Sequence, residues 1–306
     1  MGRIGRRLQN SRFLRASAHK ISIWIGCTFP EEIPMVFVVG YPKSGTTWAS
    51  KIVADYLQLP FPKHALLPMA FPCLIHGHEL LSPKFPRAAY SMRDGRDVMV
   101  SYYFHKSKRI PEGDWPTVPP RHRRWFPDLD NKHNIQRNLP AFIEAHAKLS
   151  KDPMDHWGRH IETYFERRTE RTGLLRFEDL LADGPGTLTR AVEAMTGKRA
   201  DPERIRWSIE KFSFERQARR KRGQEQRGTF LRKGQAGDWK NHFTKEAAEV
   251  FDHHFGEALV LAGYEKDRSW VSRWTGPVTS TEAAPEGVAI RNTQGNGEGG
   301  SDRASA

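Results

Sequence analysis

Residues 33–274 are expected to form one α/β domain with a P-loop-like central parallel β-sheet flanked by α-helices on both faces. Three observations lead there. The run Met35-Val-Phe-Val-Val39 is continuously apolar, the pattern of a strand buried on both faces and hence of a parallel sheet. Short strand-like runs then alternate with longer helical patterns. Finally, 306 residues with 38% hydrophobic and 11% aromatic content supply a large core, and no internal repeat is visible.

The elements follow in order. Residues 1–32 read as a basic, partly ordered arm, with Arg3, Arg6, Arg7, Arg12, Arg15 and Lys20 and no acid in the first twenty positions. The apolar stretch at 21–27 is too short and interrupted for a secretory signal, and Arg6 breaks the myristoylation pattern. After the strand at 35–39 come a turn at 40–47 and a helix at 48–57. Strands are expected at 73–76, 88–92 and 173–177, and helices at 98–106, 139–150, 155–171, 187–196, 202–212 and 245–262. From Thr275 the chain turns to Gly, Ser, Thr, Glu and Pro without aromatics, so 275–306 is expected to be a disordered tail.

Lys+Arg 49 against Asp+Glu 36 leaves +13, a surplus that calls for an acidic partner. Cys27 and Cys73 are too few for a disulfide framework or a four-cysteine zinc site, and they fit a reducing, cytoplasmic location. No apolar run approaches the roughly 18 residues of a membrane span, though peripheral membrane contact through the basic arm stays open. The arginine-rich runs at 121–124 and 216–222 lack a recognisable nucleic-acid fold signature, so nucleic acid is not the expected partner.

Three segments carry the chemistry. Gly40-Tyr-Pro-Lys-Ser-Gly-Thr-Thr47 joins a buried strand to a helix start, where backbone N–H groups and the helix dipole make an anion site. A nucleoside-triphosphate P-loop would place its lysine where Thr46 stands; here the lysine is inside the loop, as Lys43. No strand ends in an acid for magnesium, which argues against a P-loop kinase, and no metal is expected. Arg93-Asp-Gly-Arg-Asp97 repeats the strand-to-helix character, with Asp94 as N-cap, Asp97 in the first helical turn and Arg93 at the ligand-binding edge of the sheet. Arg232 and Lys233 stand in a glycine-rich loop between Phe230 and Trp239.

In order and content these segments resemble the sulfotransferases of the cytosolic type, which use 3′-phosphoadenylyl sulfate (PAPS). Tyr41-Pro-Lys-Ser-Gly-Thr-Thr-Trp48, Arg93 through Ser101, and Arg232-Lys-Gly-Gln-Ala-Gly-Asp-Trp-Lys-Asn241 are similar to that family's three PAPS segments. The resemblance implies that Lys43 contacts the bridging oxygen and that Ser44, Gly45, Thr46 and Thr47 cradle the 5′-phosphate. Trp48 would stack on adenine, with Phe230 near the base. Arg93, Ser101, Arg232, Lys233 and Gly234 would hold the 3′-phosphate. Phe177-Glu-Asp stands where the family commonly has Tyr-Glu-Asp, which keeps the stacking surface and loses the hydroxyl.

The family's base is a histidine, commonly within Lys-x-His before the Arg-x-x-Arg-Asp segment. Leu74-Ile-His-Gly-His78 occupies that place, so His78 corresponds to the base and His76 to the lysine, both on one side of an extended chain. Glu79 is a further candidate, because the carbohydrate-modifying branch often uses a glutamate. The implied acceptor is a small-molecule, carbohydrate or natural-product alcohol. The Pro-, Trp- and Arg-rich stretch 107–130, where acceptor lids lie in this fold, favours a bulky or anionic one.

Overall fold

Alternate residues of the first strand enter two different cores, and this fixes the layering. In β1 (Val36–Val39), Phe37 and Val39 face one apolar cluster while Val36 and Val38 face another. β1 lies between β2 (Leu74–Gly77) and β3 (Ala88–Met92), and β4 (Thr172–Arg176) pairs with β3. The order is β2-β1-β3-β4 and every pairing is parallel, with Val38 opposite both His76 and Ala89. The structure, a computed structural model of the chain, describes residues 12–63, 65–108, 110, 125–126, 131–149, 156–226 and 232–277.

Helices cover both faces, as expected. α2 (Thr46–Leu57) packs on the Val36/Val38 side, and α3 (Gly95–Ser107), α4 (Ile135–Leu149) and α5 (Trp157–Arg167) on the other. α6 (Phe177–Ala182), α7 (Gly184–Thr196) and α8 (Pro202–Lys211) complete the first side, with Leu180, Leu188, Val192 and Ile205 buried there. α9 (Phe214–Ala218) follows; α10 (Lys245–Leu261) buries Phe251 and Phe255 against Trp157 in the second layer, and α11 (Trp270–Arg273) closes it.

Three departures from the sequence reading have local causes. The basic arm contains helix α1 (Arg12–Thr28). Ala18, Ser22 and Gly26, one turn apart, form a face small enough to lie against the domain; a Cβ on Gly26 would meet Met35 Sδ at 2.7 Å. Ser22 Oγ donates to the Ala18 carbonyl at 2.7 Å and accepts the Met69 N–H at 2.8 Å. The helix expected over 155–171 stops at Arg167, because Arg168 is extended and Thr169 N–H turns to Thr172 Oγ1. The last strand therefore begins at Thr172, and Phe177, expected as its end, opens α6.

Candidate active site

The loop after β1 is held close to its neighbour strand before it reaches the helix. A side chain at Gly40 would bring a Cβ to 2.3 Å from the Ser91 carbonyl oxygen, so only glycine fits. Lys43 (φ 75°) and Gly45 (φ 87°) both adopt left-handed backbone, an uncommon state for lysine. Gly45 caps α2 with no side-chain hydrogen bond, and the first N–H groups of a helix have no partner within it. Thr46 Oγ1 is buried and makes no hydrogen bond. The helix start thus presents unsatisfied donors and a positive dipole end to a cavity of about 400 Å³ lined by Lys43, Gly45, Thr46 and Thr47.

Cations converge on the same cavity. Burial, then the nearby charges of Arg93, Lys108, Arg232 and Lys63, pushes Lys43 down to about 8. Arg93 donates to the Lys43 carbonyl at 3.3 Å and to the Gln235 carbonyl at 3.1 Å, and its guanidinium lies 4.2 Å over the Phe177 ring. Its Nε is buried without a partner. Lys63 donates to Thr47 Oγ1 at 2.7 Å. No Asp or Glu is among the lining residues. A set of cations with an orphaned Thr46 hydroxyl and an orphaned Arg93 N–H fits a polyanionic nucleotide. Among the described residues no three His, Cys, Asp or Glu side chains come together as a metal site requires.

The late glycine-rich loop reaches this cavity through Arg232, Lys233 and Gly234. Asp238 bonds both cations, with Lys233 Nζ at 2.5 Å and the Arg232 guanidinium beside it. Burial works against the Asp238 charge, but its bonds to His242, Arg232 and Lys233 outweigh that and hold the carboxyl well below the usual range. Asp97, read from the sequence as a first-turn acid, is buried and accepts the N–H groups of Gly237 and Trp239, each at 2.8 Å. It therefore staples the loop to α3. Asp94 is the N-cap of α3, as expected, and also pairs with Arg96 at 2.8 Å.

The two histidines lie with ring centroids 5.2 Å apart, and both line the cavity. His78 Nδ1 is 2.8 Å from the Gly40 carbonyl oxygen. A carbonyl only accepts, so Nδ1 carries the proton and the neutral ring has its lone pair at Nε2. Burial of most of the ring lowers its protonation below the ordinary 6.5, with the Gly40 carbonyl opposing. His76 is pushed further, to about 3, by burial and then by His78 and Lys63. Its Nδ1 lies 3.0 Å from Ser50 Oγ, whose own hydrogen goes to the Thr46 carbonyl. Glu79 is turned to His19 of α1, at 2.6 Å, and does not line the cavity.

Trp48 and Phe177 meet edge to face at 5.7 Å, both in the lining, and Trp48 Nε1 is fixed by the Phe212 carbonyl at 2.8 Å. Ser101 lines the cavity from α3. Ser44 does not: it is buried, its N–H goes to the Tyr41 carbonyl and its carbonyl accepts from Ser91. Phe230 and most of the stretch 107–130 lie outside the described residues. The sequence reading missed Lys63, Ser50, Tyr102, His105, Phe214 and Gln217. For Tyr102 and His105 a signal existed, since Ser101 and His105 are one turn apart on the same helix.

A parallel sheet whose strand ends carry an uncapped helix, a cation cluster and a histidine with its lone pair at Nε2 makes a site suited to a polyanionic ligand. The sulfotransferase domain model matches residues 78–263, and the chain belongs to that family. It is 29% identical over 264 residues to 3-beta-hydroxysteroid sulfotransferase of Cavia porcellus, covering 74% of this chain and 83% of the relative. It is 26% identical over 264 residues to sulfotransferase 2A1 of Homo sapiens, covering 74% and 84%. Among solved structures, mouse sulfotransferase SULT7A1 complexed with PAP superposes with a TM-score of 0.54 at 18% identity, over 87% of this chain and 95% of that one. Retinol dehydratase in a complex with retinol and PAP gives 0.52 at 19% identity, over 81% and 86%. At these identities the two structures establish the shared fold.

Proposed function

We propose that this protein transfers the sulfuryl group from PAPS to a hydroxyl group of a small-molecule, carbohydrate or natural-product alcohol, releasing adenosine 3′,5′-bisphosphate (PAP), with His78 as general base. The observation that carries this reading is the bond from His78 Nδ1–H to the Gly40 carbonyl. It sets Nε2 as a proton acceptor on the cavity that also receives Lys43 and the start of α2.

The acceptor oxygen attacks sulfur as its proton passes to His78 Nε2, and the bond from sulfur to the 5′-phosphate oxygen breaks. The electron pair goes to that phosphate, where protonated Lys43 and the N-terminus of α2 stabilise the growing charge. Arg93, Ser101, Arg232, Lys233 and Gly234 hold the 3′-phosphate, and Trp48 and Phe177 flank the base. That two relatives from Cavia porcellus are hydroxysteroid sulfotransferases supports a hydroxyl acceptor.

Labelled-sulfate transfer from PAPS across phenols, alcohols, amines and sugars tests the reading. His78→Ala is expected to lower kcat about 10²–10⁴-fold while PAP affinity stays unchanged. Because the neutral ring is the active form, the rate falls as pH drops through an acid limb below the ordinary 6.5. His78→Ala abolishes that limb. No transfer to any acceptor despite tight PAP binding, or a variant that keeps its activity, would overturn the proposal.

A further inference from the structure

We infer that the outer face of α1, with the loop at 65–72 beside it, docks on an anionic lipid bilayer. The helix has two unlike faces. Ala18, Ser22 and Gly26 turn inward onto the domain. Outward stand Phe13, 79% exposed, Ile21, and Trp24, 60% exposed. Phe13 and Trp24 lie about three turns apart and Ile21 one turn before Trp24, so they share a side. Phe29 continues the strip, meeting Trp24 edge to face at 6.0 Å. The bond from Met69 N–H to Ser22 brings the loop against the helix, adding Leu67, 77% exposed, and Phe71. None of these six residues lines the cavity.

Charge selects the partner. Residues 1–20 carry Arg3, Arg6, Arg7, Arg12, Arg15 and Lys20 without an acid, in a chain of net charge +13. Lys20 is exposed on this face, one turn before Trp24. A second copy would bring like-charged N-terminal segments together, whereas an anionic lipid surface attracts them. Tryptophan and phenylalanine beside lysine and arginine suit the headgroup boundary. The helix lies on the bilayer rather than through it, since no described helix is long and apolar enough to cross one. His19, on the same helix, bonds Glu79 next to His78, so the docked element adjoins the cavity wall.

The full-length protein is sedimented with vesicles of phosphatidylcholine and phosphatidylglycerol, and with phosphatidylcholine alone. Binding to the mixed vesicles that weakens with salt is expected, with little to the neutral ones. Phe13→Ser with Trp24→Ser is expected to lower partitioning about tenfold or more, with melting temperature and PAP affinity unchanged. The inference fails if anionic vesicles do not bind the protein or bind the double variant equally. It also fails if the substitutions abolish self-association, which assigns the face to a second copy, or lower the melting temperature, which makes it the domain's own packing. Docking involves no sulfuryl transfer, so its failure leaves the transfer reading untouched.

Discussion

PAP binding should draw a proton onto Lys43. Burial and four neighbouring cations lower that lysine from the ordinary 10.5 to about 8, so it gives up its proton more readily than a solvated one. At pH 9 about a tenth of the free protein carries the Lys43 proton. Phosphate oxygens beside the ammonium favour the charged form and restore its value toward the ordinary one, so nearly all of the complex carries it. Uptake is then about 0.9 proton per PAP at pH 9 and about 0.1 at pH 7. By linkage, affinity is full below the free-state value near 8 and falls as pH rises above it, with a logarithmic slope approaching about −1 per pH step. The phosphates of PAP, which titrate near 6, are fully ionised at pH 9 and do not add to the signal. Isothermal titration calorimetry in two buffers of different ionisation enthalpy measures the uptake directly. Uptake below about 0.2 proton at pH 9, or a Lys43→Met variant that takes up as much as the native chain, would rule out Lys43 as the proton acceptor.

Two further outcomes follow from the loops. Lys43 holds φ 75°, so Lys43→Gly should be more stable than Lys43→Ala by about 1 kcal/mol, read as a higher melting temperature; equal values would mean the loop stores no strain. Asp97→Ala frees the Gly237 and Trp239 N–H groups and should lower PAP affinity about tenfold, with Asp97→Asn intermediate. Unchanged affinity would show that the Asp238 pairs alone position Arg232 and Lys233.

Much of the domain is legible along the chain because its signals are local. The strand at 88–92 emerges with those bounds, and the runs at 35–39 and 73–76 need shifts of one residue. Burial on both faces of a parallel sheet leaves short apolar runs that stand out between helices. α1 is masked by its composition: Arg12, Arg15 and Lys20 interrupt its apolar pattern, and the residues that lie closest to the domain are the small Ala18, Ser22 and Gly26, with Ile23, Ile25 and Cys27 packed beside them. Phe177 was placed one element too early because an aromatic after Leu174 and Leu175 reads as more strand until the Glu178 and Asp179 of a helical first turn are weighed. Asp97 looked like a dipole partner because the N–H groups it accepts belong to Gly237 and Trp239, far along the chain.

The sequence by itself determined the α/β class, the place of the glycine-containing loop at 40–47 between strand and helix, and the choice of Lys43, Arg93, Arg232 and His78 as the residues to watch. Glycine spacing, strand-to-helix junctions and residue type are properties of neighbours in the chain. Tertiary structure alone decided which ring nitrogen of His78 is free, because the Gly40 carbonyl arrives from the loop that follows β1. It alone decided the lowered protonation of Lys43, which burial and cations from separate segments impose, and the exclusion of Glu79 from the cavity by His19 of α1. Charge state and hydrogen-bond direction depend on distance through space, and a linear pattern of residues carries no such distance.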